Sequence, residues 1–162
     1  VNSPEQTGTS VTVSLPCATH YKEQSETISK SPSTFPPGIA VLVVDDEPDI
    51  CEMIRTALTL RGAHVVSATS GDDALQLCKE EMFNAAFIDF SMTGLSGHEL
   101  AQSVIDVQPD LPIVFMSGVE VALNGNSVTS DFLKKPFDLH EIQQKLRKVL
   151  DRAPMPQTAQ QL

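Results

Sequence analysis

Short apolar runs alternate along the chain with segments in which apolar residues recur every three or four positions. Residues 40–44 form a continuous apolar run rich in β-branched side chains, which is typical of a strand buried on both faces. Four later runs, at residues 64–68, 84–88, 113–116 and 131–134, also predict strands. Most of the segments between and after them have the spacing of amphipathic helices. Their apolar faces include Ile54 and Leu58, Ala74 and Cys78, Leu100 and Val104, and Ile142 and Leu146.

Several of these helices begin with recognisable initiation signals. Pro48 suits the first turn of a helix, and Ser70 suits an N-cap position. Ser96 and Asp138 each precede a glutamate at the spacing of a capping box. Residues 120–130 contain an Asn-Gly-Asn sequence, so we expect only a short or frayed helix there.

Strands that alternate with helices predict an α/β fold, here a doubly wound, five-stranded parallel sheet covered by helices on both faces. In such a three-layer sandwich, ligands collect at the edge formed by the carboxyl ends of the strands. The residues at those ends are Asp45, Asp46, Asp89, Ser117 and Lys135. The pattern therefore predicts that three acids, a hydroxyl and an ammonium group share one site.

This set of side chains has the chemistry of a magnesium-dependent phosphoryl acceptor. Neighbouring carboxylates repel one another unless a cation lies between them, and oxygen ligands favour a hard ion such as Mg²⁺. Asp89 is then the nucleophile that forms an acyl phosphate. Lys135 and Ser117 can both bind oxygens of the phosphoryl group.

Each of these residues also has an ordinary structural interpretation. Asp45 and Asp46 precede a helix and could be N-caps, and Asp89 could be a turn residue. Ser117 could be structural, and Lys135 could be a solvated surface residue. The functional interpretation depends on all of them falling at strand ends along one edge of one sheet.

The segments before and after these elements have a different composition. Residues 9–15 alternate polar and apolar and predict an isolated strand, so residues 1–16 are interpreted as the remnant of a preceding domain. Residues 17–38 are rich in Pro, Ser and Thr and predict a flexible linker, with the domain boundary near Gly38. Residues 153–162 are predicted to be a disordered tail.

Charge and cysteine content narrow the range of partners. With 21 acids against 11 bases the net charge is −10, which disfavours binding to a nucleic-acid backbone, and we expect no DNA-binding module after residue 152. Cys17, Cys51 and Cys78 have no metal or disulfide spacing, which fits a reducing, cytoplasmic location. No apolar run approaches membrane-spanning length, so we expect no membrane contact by this segment, although a parent protein could carry an anchor.

Residues 39–152 resemble the receiver domain of two-component response regulators. The resemblance rests on the sequence VLVVDDE at residues 41–47 and on Ile88-Asp89 with Met92 and the sequence GLSG that follows. It also rests on MSG at residues 116–118 and DFLKKPF at residues 131–137. It implies a flavodoxin-like fold in which the strand order is 2-1-3-4-5.

The resemblance also implies a metal-binding role for four residues. Asp89 would be the phosphoacceptor and a Mg²⁺ ligand, and Asp46 would bind the ion directly. Asp45 would act largely through a metal-bound water. The backbone carbonyl of Ser91 would complete the protein ligands.

The remaining matched residues imply phosphoryl binding and a change of state. Lys135 matches the phosphate-binding lysine, and Ser117 and Phe132 match the hydroxyl and aromatic partners of the activation switch, although Phe132 alone is a typical core residue. A receiver takes its phosphoryl group from a phosphohistidine donor, either a histidine kinase or a histidine phosphotransfer protein. The resemblance further implies that the chain catalyses its own phosphorylation and dephosphorylation. We expect it to be a monomer or a weak dimer.

Three departures from the family pattern suggest other functions. Thr93 replaces the proline usual after the methionine, so we expect a looser loop beyond Asp89. Gly118 replaces the commoner alanine, and residues 120–130 lack the usual alanine-rich pattern. The departures at Thr93 and in residues 120–130 motivate a second hypothesis, a receiver-fold interaction module that works without phosphorylation. A third hypothesis, a metal-dependent phosphatase, would normally need an aspartate where this chain has Ser91.

Residues 3–16 resemble the closing segment of a histidine kinase ATP-binding domain. That segment typically reads Gly-Thr, then alternating apolar residues, then Leu-Pro. The resemblance implies that the chain is the C-terminal receiver of a hybrid sensor histidine kinase in a phosphorelay. The alternative is a stand-alone single-domain response regulator with a fortuitous β-like flank.

Overall fold

Five parallel strands form one sheet within residues 34–118 and 130–152, the part of the chain described by a computed structural model. The sheet order is β2-β1-β3-β4-β5, as expected for the predicted fold. The elements in chain order are β1 (Ala40–Val44), α1 (Pro48–Thr59), β2 (His64–Ala68), α2 (Gly71–Glu80), β3 (Ala85–Asp89), α3 (Gly97–Val107), β4 (Ile113–Ser117), β5 (Ser130–Lys134) and α4 (Leu139–Leu150).

The strand register brings the functional ends of the strands to one edge. Val44 of β1 pairs with Ile88 of β3, so Asp89 lies one residue further along. Asp89 in turn pairs with Met116 of β4, and Ser117 pairs with Lys134 of β5. Because all four pairings are parallel, every carboxyl end points the same way.

Alternating residues of the buried strands face two separate apolar cores. Val41, Val43 and Phe87 belong to the core under α1 and α4, whereas Leu42 and Ile88 belong to the core under α2 and α3. All five are fully buried. Burial of an aliphatic or aromatic side chain of this size contributes about 1.5–3 kcal/mol, so the central strands are firmly held on both faces.

The predicted helix starts are confirmed, with one refinement at α1. Ser70 caps α2 by accepting from the Asp73 amide, and capping boxes begin α3 at Ser96 and α4 at Asp138. The N-cap of α1 is Glu47, which makes no side-chain cap bond. The alternative that Asp45 and Asp46 are N-caps is therefore not what the structure shows.

Packed structure begins earlier than the predicted boundary near Gly38. Phe35 is buried in the core under α1 and α4, and its amide donates to the carbonyl of Arg61 at 2.7 Å. The guanidinium of Arg147 lies 5.5 Å from the centre of the Phe35 ring, at cation–π distance. The end of the segment predicted as a linker thus contributes an apolar anchor to the domain.

Several sequence predictions fall outside the described residues. These are the strand at residues 9–15, residues 17–33 of the linker, the tail at residues 153–162, and the short helix predicted within residues 120–130, of which only Ser130 is described, as the first residue of β5. Within the described residues, Cys51 and Cys78 are free thiols in the core, as predicted, and burial raises the pKa of each to about 11. No helix of the described part is long and apolar enough to cross a membrane.

The carboxylate of Asp131 forms ion pairs that connect β5 to α4 and to the residues directly after it. It lies 3.1 Å from the ammonium of Lys145, 3.2 Å from that of Lys148 and 3.6 Å from the guanidinium of Arg152. Burial alone would raise the pKa of Asp131, but hydrogen bonds from the Phe132 amide and the two lysines outweigh it, and the pKa is lowered.

We predict that Asp131→Asn lowers the free energy of unfolding by about 1–3 kcal/mol at pH 7, because several charge-assisted contacts are lost. A lowered folded pKa means that the contribution is fully present above the unfolded value of about 4 and disappears as the pH falls through the folded value. Urea unfolding at pH 7 and below pH 4 measures this difference. Asp106→Asn, at an exposed residue of α3, is the control. An equal loss in the free energy of unfolding at both pH values would show that the ionised carboxylate of Asp131 is not the source of the stabilisation.

Candidate metal and phosphoacceptor site

Three aspartates meet at the carboxyl ends of β1 and β3. Asp45 and Asp46 follow β1 directly, and Asp89 is the last residue of β3. One carboxylate oxygen from each lies within 4.8 Å of the other two. Asp45 is 0% exposed and Asp89 5% exposed, whereas Asp46 is more open to solvent. The two neighbouring strands thus supply an acidic site with two buried members.

The ammonium group of Lys135 lies between the two buried carboxylates. Its Nζ donates to Asp45 Oδ2 at 2.8 Å and contacts Asp89 Oδ1 at 2.9 Å. Burial alone lowers the pKa of Lys135, but the bonds with Asp45 and Asp89 outweigh it and the pKa is raised. Lys135 therefore stays charged at neutral pH and serves as the counter-ion of both carboxylates.

The charge and the donor atoms of this cluster fit a divalent cation. Three formal negative charges and one positive charge leave an excess of two negative charges, which one divalent ion would balance. All the side-chain donors among the three aspartates are oxygens, which Mg²⁺ and Ca²⁺ prefer over the softer ligands of transition metals. The residues present therefore suit a hard metal ion.

The backbone around Asp89 is tightly packed. The amide of Ser91 donates to Asp89 Oδ2 at 3.2 Å. Gly97, at the start of α3, approaches so closely that a Cβ there would lie 2.2 Å from the carbonyl oxygen of Asp89 and 2.8 Å from the Cα of Phe90. This close contact between α3 and the end of β3 fixes the position from which the Asp89 side chain projects.

The loop after Asp89 is bonded to the β1 end of the site, contrary to the expectation that Thr93 loosens it. Asp46 Oδ2 accepts from the Thr93 amide at 3.1 Å and from the Thr93 hydroxyl at 3.0 Å. The backbone bond and then the side-chain bond from Thr93 lower the pKa of Asp46, so its carboxyl is ionised at neutral pH. Sequence reasoning missed this contact because the two residues are 47 positions apart.

Ser117 and Phe132 lie where the sequence places them, on the two strands beyond β3. Ser117 is the buried last residue of β4, and its carbonyl accepts from the Lys135 amide at 2.7 Å. Phe132 of β5 is half-buried and pairs in register with Phe115. Their roles in phosphoryl binding and switching stay predictions, as does metal binding by the carbonyl of Ser91.

Comparison with known proteins identifies the family. The response regulator receiver domain family matches residues 41–147. The chain is 33% identical over 116 residues to the probable transcriptional regulator ycf27 of Porphyridium aerugineum, a match covering 69% of this chain and 48% of that protein. It is 32% identical over 114 residues to the response regulator receiver protein CpdR of Brucella abortus (strain 2308), covering 68% of this chain and 95% of that protein.

Solved structures agree with this assignment. The receiver domain of the hybrid histidine kinase CckA superposes with a TM-score of 0.61 at 26% identity, covering 68% of this chain and 98% of that domain. The fold and the acidic edge define a receiver, and the chain belongs to the response regulator receiver domain family of two-component signalling. It spans about half the length of the ycf27 relatives that it matches.

We predict that Gly97→Ala disturbs the site, because the added Cβ meets backbone atoms that cannot move aside easily. Overpacking of this kind costs about 1–3 kcal/mol, and we expect slower phosphorylation together with lower stability. Gly118→Ala is the matched control, since a Cβ at Gly118 meets no described atom within 4 Å. Thermal unfolding and phosphorylation rates of the two variants measure the effect. Equal behaviour of the two would show that the close contact at Gly97 is unimportant.

Proposed function

We propose that this receiver accepts a phosphoryl group from a phosphohistidine donor onto Asp89, in a reaction that depends on Mg²⁺. The observation that carries the proposal is the contact between buried Asp89 and Lys135 at 2.9 Å, beside two further aspartates whose oxygens lie within 4.8 Å. The Asp89 side chain is screened from bulk water and is paired with the ammonium group of Lys135. It is thus equipped to act as a nucleophile towards phosphorus.

Asp45, Asp46 and Asp89 would hold the metal ion, together with the backbone carbonyl of Ser91. When bound, Mg²⁺ supplies positive charge that offsets the charge of the phosphoryl oxygens. A carboxylate oxygen of Asp89 attacks phosphorus and forms the P–O bond of an acyl phosphate. The P–N bond of the donor breaks, and its electron pair goes to the imidazole nitrogen.

The residues around Asp89 would then stabilise the product. Lys135, which forms ion pairs with Asp45 and Asp89 before the reaction, would bind an oxygen of the attached phosphoryl group. The hydroxyl of Ser117 would donate to a second phosphoryl oxygen. Movement of Ser117 towards that oxygen would in turn allow Phe132 to change position, which is the proposed link between chemistry and partner binding.

The test is phosphorylation by acetyl phosphate with Mg²⁺, followed by intact-protein mass spectrometry. We expect the wild type to gain one phosphoryl group when Mg²⁺ is present. A chelator added before acetyl phosphate should prevent this gain. Asp89→Asn should gain none, because an amide is not a nucleophile of comparable strength, whereas the control Asp106→Asn should behave as the wild type does. A phosphoryl gain by Asp89→Asn would overturn the assignment.

A second outcome would favour a different function. If the wild type gains no phosphoryl group and binds neither Mg²⁺ nor beryllofluoride, the chain is better described as an interaction module that works without phosphorylation. The departures from the family pattern at Thr93 and in residues 120–130 motivate this alternative. The ion pair between Lys135 and the buried Asp89 favours the phosphoacceptor instead.

We further propose that the chain is the C-terminal receiver of a hybrid sensor histidine kinase and works in the cytoplasm. Support comes from the resemblance of residues 3–16 to the end of a kinase ATP-binding domain and from the similarity to the receiver of CckA, a hybrid histidine kinase. A stand-alone regulator is the alternative, favoured by the match to nearly all of CpdR. The ycf27 relatives, named as probable transcriptional regulators, favour a separate output domain.

The parent reading frame decides between these contexts. A hybrid kinase requires an ATP-binding domain encoded directly upstream of residue 1, and a phosphorylatable histidine before it. A start codon immediately upstream would favour the stand-alone regulator. A DNA-binding domain encoded downstream would favour a transcriptional regulator.

A further inference from the structure

Thr93 directs two hydrogen-bond donors at a single oxygen of the candidate metal site. Its amide lies 3.1 Å and its hydroxyl 3.0 Å from Oδ2 of Asp46. A carboxylate rotates freely about its bond to Cβ when nothing holds it. Two donors on one oxygen restrict that rotation, and they therefore fix the direction in which the other oxygen, Oδ1, points.

The loop that carries Thr93 is itself anchored on both sides. Before it, the Ser91 amide donates to Asp89 Oδ2 at 3.2 Å. After it, Leu95 packs against Gly71 at the start of α2, where a Cβ would lie 2.9 Å from Leu95 Cδ2. The capping box at Ser96 then begins α3. Thr93 is thus presented to Asp46 from an anchored loop.

Both bonds depend on the residue type at position 93. A proline, which the family pattern usually has there, lacks the amide hydrogen and the hydroxyl and could make neither bond. Asp46 is the most solvent-open of the three aspartates and receives no bond from Lys135 among the described contacts. Thr93 therefore supplies to Asp46 the restraint that Lys135 supplies to Asp45 and Asp89.

We infer that Thr93 is a positioning residue for the metal ion, acting through Asp46. Hydrogen-bond partners of ligating carboxylates orient the ligand, and their loss typically weakens metal binding by about 10–100-fold. The inference rests on the proposed function, because it requires a divalent cation at Asp45, Asp46 and Asp89. It adds a residue outside the matched family motif to the machinery of this particular chain.

The test compares a substitution that removes the hydroxyl donor of Thr93 with one that keeps it. Thr93→Val keeps the shape and the amide but removes the hydroxyl donor, whereas Thr93→Ser keeps both donors. Thr56→Val makes the same chemical change at an exposed position in the third turn of α1. Mg²⁺ affinity is measured by NMR titration of the unphosphorylated protein, and thermal unfolding is measured without metal.

We expect Thr93→Val to weaken Mg²⁺ binding by roughly 10-fold, the lower end of the range, because Asp46 is open to solvent. Thr93→Ser and Thr56→Val should retain the wild-type affinity, and all three should unfold within a few degrees of the wild type. With acetyl phosphate, Thr93→Val should need more Mg²⁺ for half-maximal phosphorylation but reach nearly the wild-type rate at saturation.

Wild-type or tighter Mg²⁺ binding by Thr93→Val would overturn the inference, as would an equal loss in Thr93→Ser. Either result leaves the proposed function standing, provided that the wild type binds Mg²⁺ and is phosphorylated. If the wild type binds no Mg²⁺ at all, the proposed function and the role of Thr93 both fail. The two failures are therefore distinguishable in one set of titrations.

Discussion

The ammonium group of Lys135 allows two buried carboxylates to lie at the ends of neighbouring strands. Asp45 and Asp89 are almost wholly shielded from water, and a buried charge without a partner costs several kcal/mol. Lys135 reaches both because it directly follows β5 and its amide is bonded to the carbonyl of Ser117. The chemistry of the site thus depends on the outer strand of the sheet as well as on the two central strands.

The parallel sheet and the location of the site could be predicted because both follow from repeated local patterns, whereas the strand order was implied only by the resemblance to receiver domains. A continuous apolar run such as residues 40–44 is typical of a parallel strand, and parallel strands place all their carboxyl ends at one edge. The grouping of Asp45, Asp46 and Asp89 followed from that rule without any knowledge of side-chain positions. Helix starts were predictable for a similar reason, because a capping box is a signal contained within four residues.

Contacts between distant segments could not be predicted in this way. The sequence placed Phe35 in a proline-rich linker, but it is buried in the core under α1 and α4 and contacts Arg61 and Arg147, which only the folded chain brings near. The sequence predicted that Thr93 makes the loop after Asp89 less rigid, because a proline, which restricts the backbone, is usual at this position. The structure instead gives Thr93 two bonds to Asp46, so rigidity lost in the backbone is offset by a contact between loops. Secondary-structure propensity depends on the local sequence alone. The burial of Phe35 and the bonds between Thr93 and Asp46 instead arise from contacts with segments that are distant in the sequence.

A crystal structure grown with Mn²⁺, as an anomalous substitute for Mg²⁺, and beryllofluoride tests the central claim most directly. We expect one anomalous peak in contact with carboxylate oxygens of Asp46 and Asp89, beryllofluoride attached to a carboxylate oxygen of Asp89, and Lys135 bonded to a fluorine. We also expect Thr93 still to donate to Asp46. A metal ion bound elsewhere, or beryllofluoride absent from Asp89 at saturating concentration, would contradict the assignment of Asp89 as a metal-dependent phosphoacceptor.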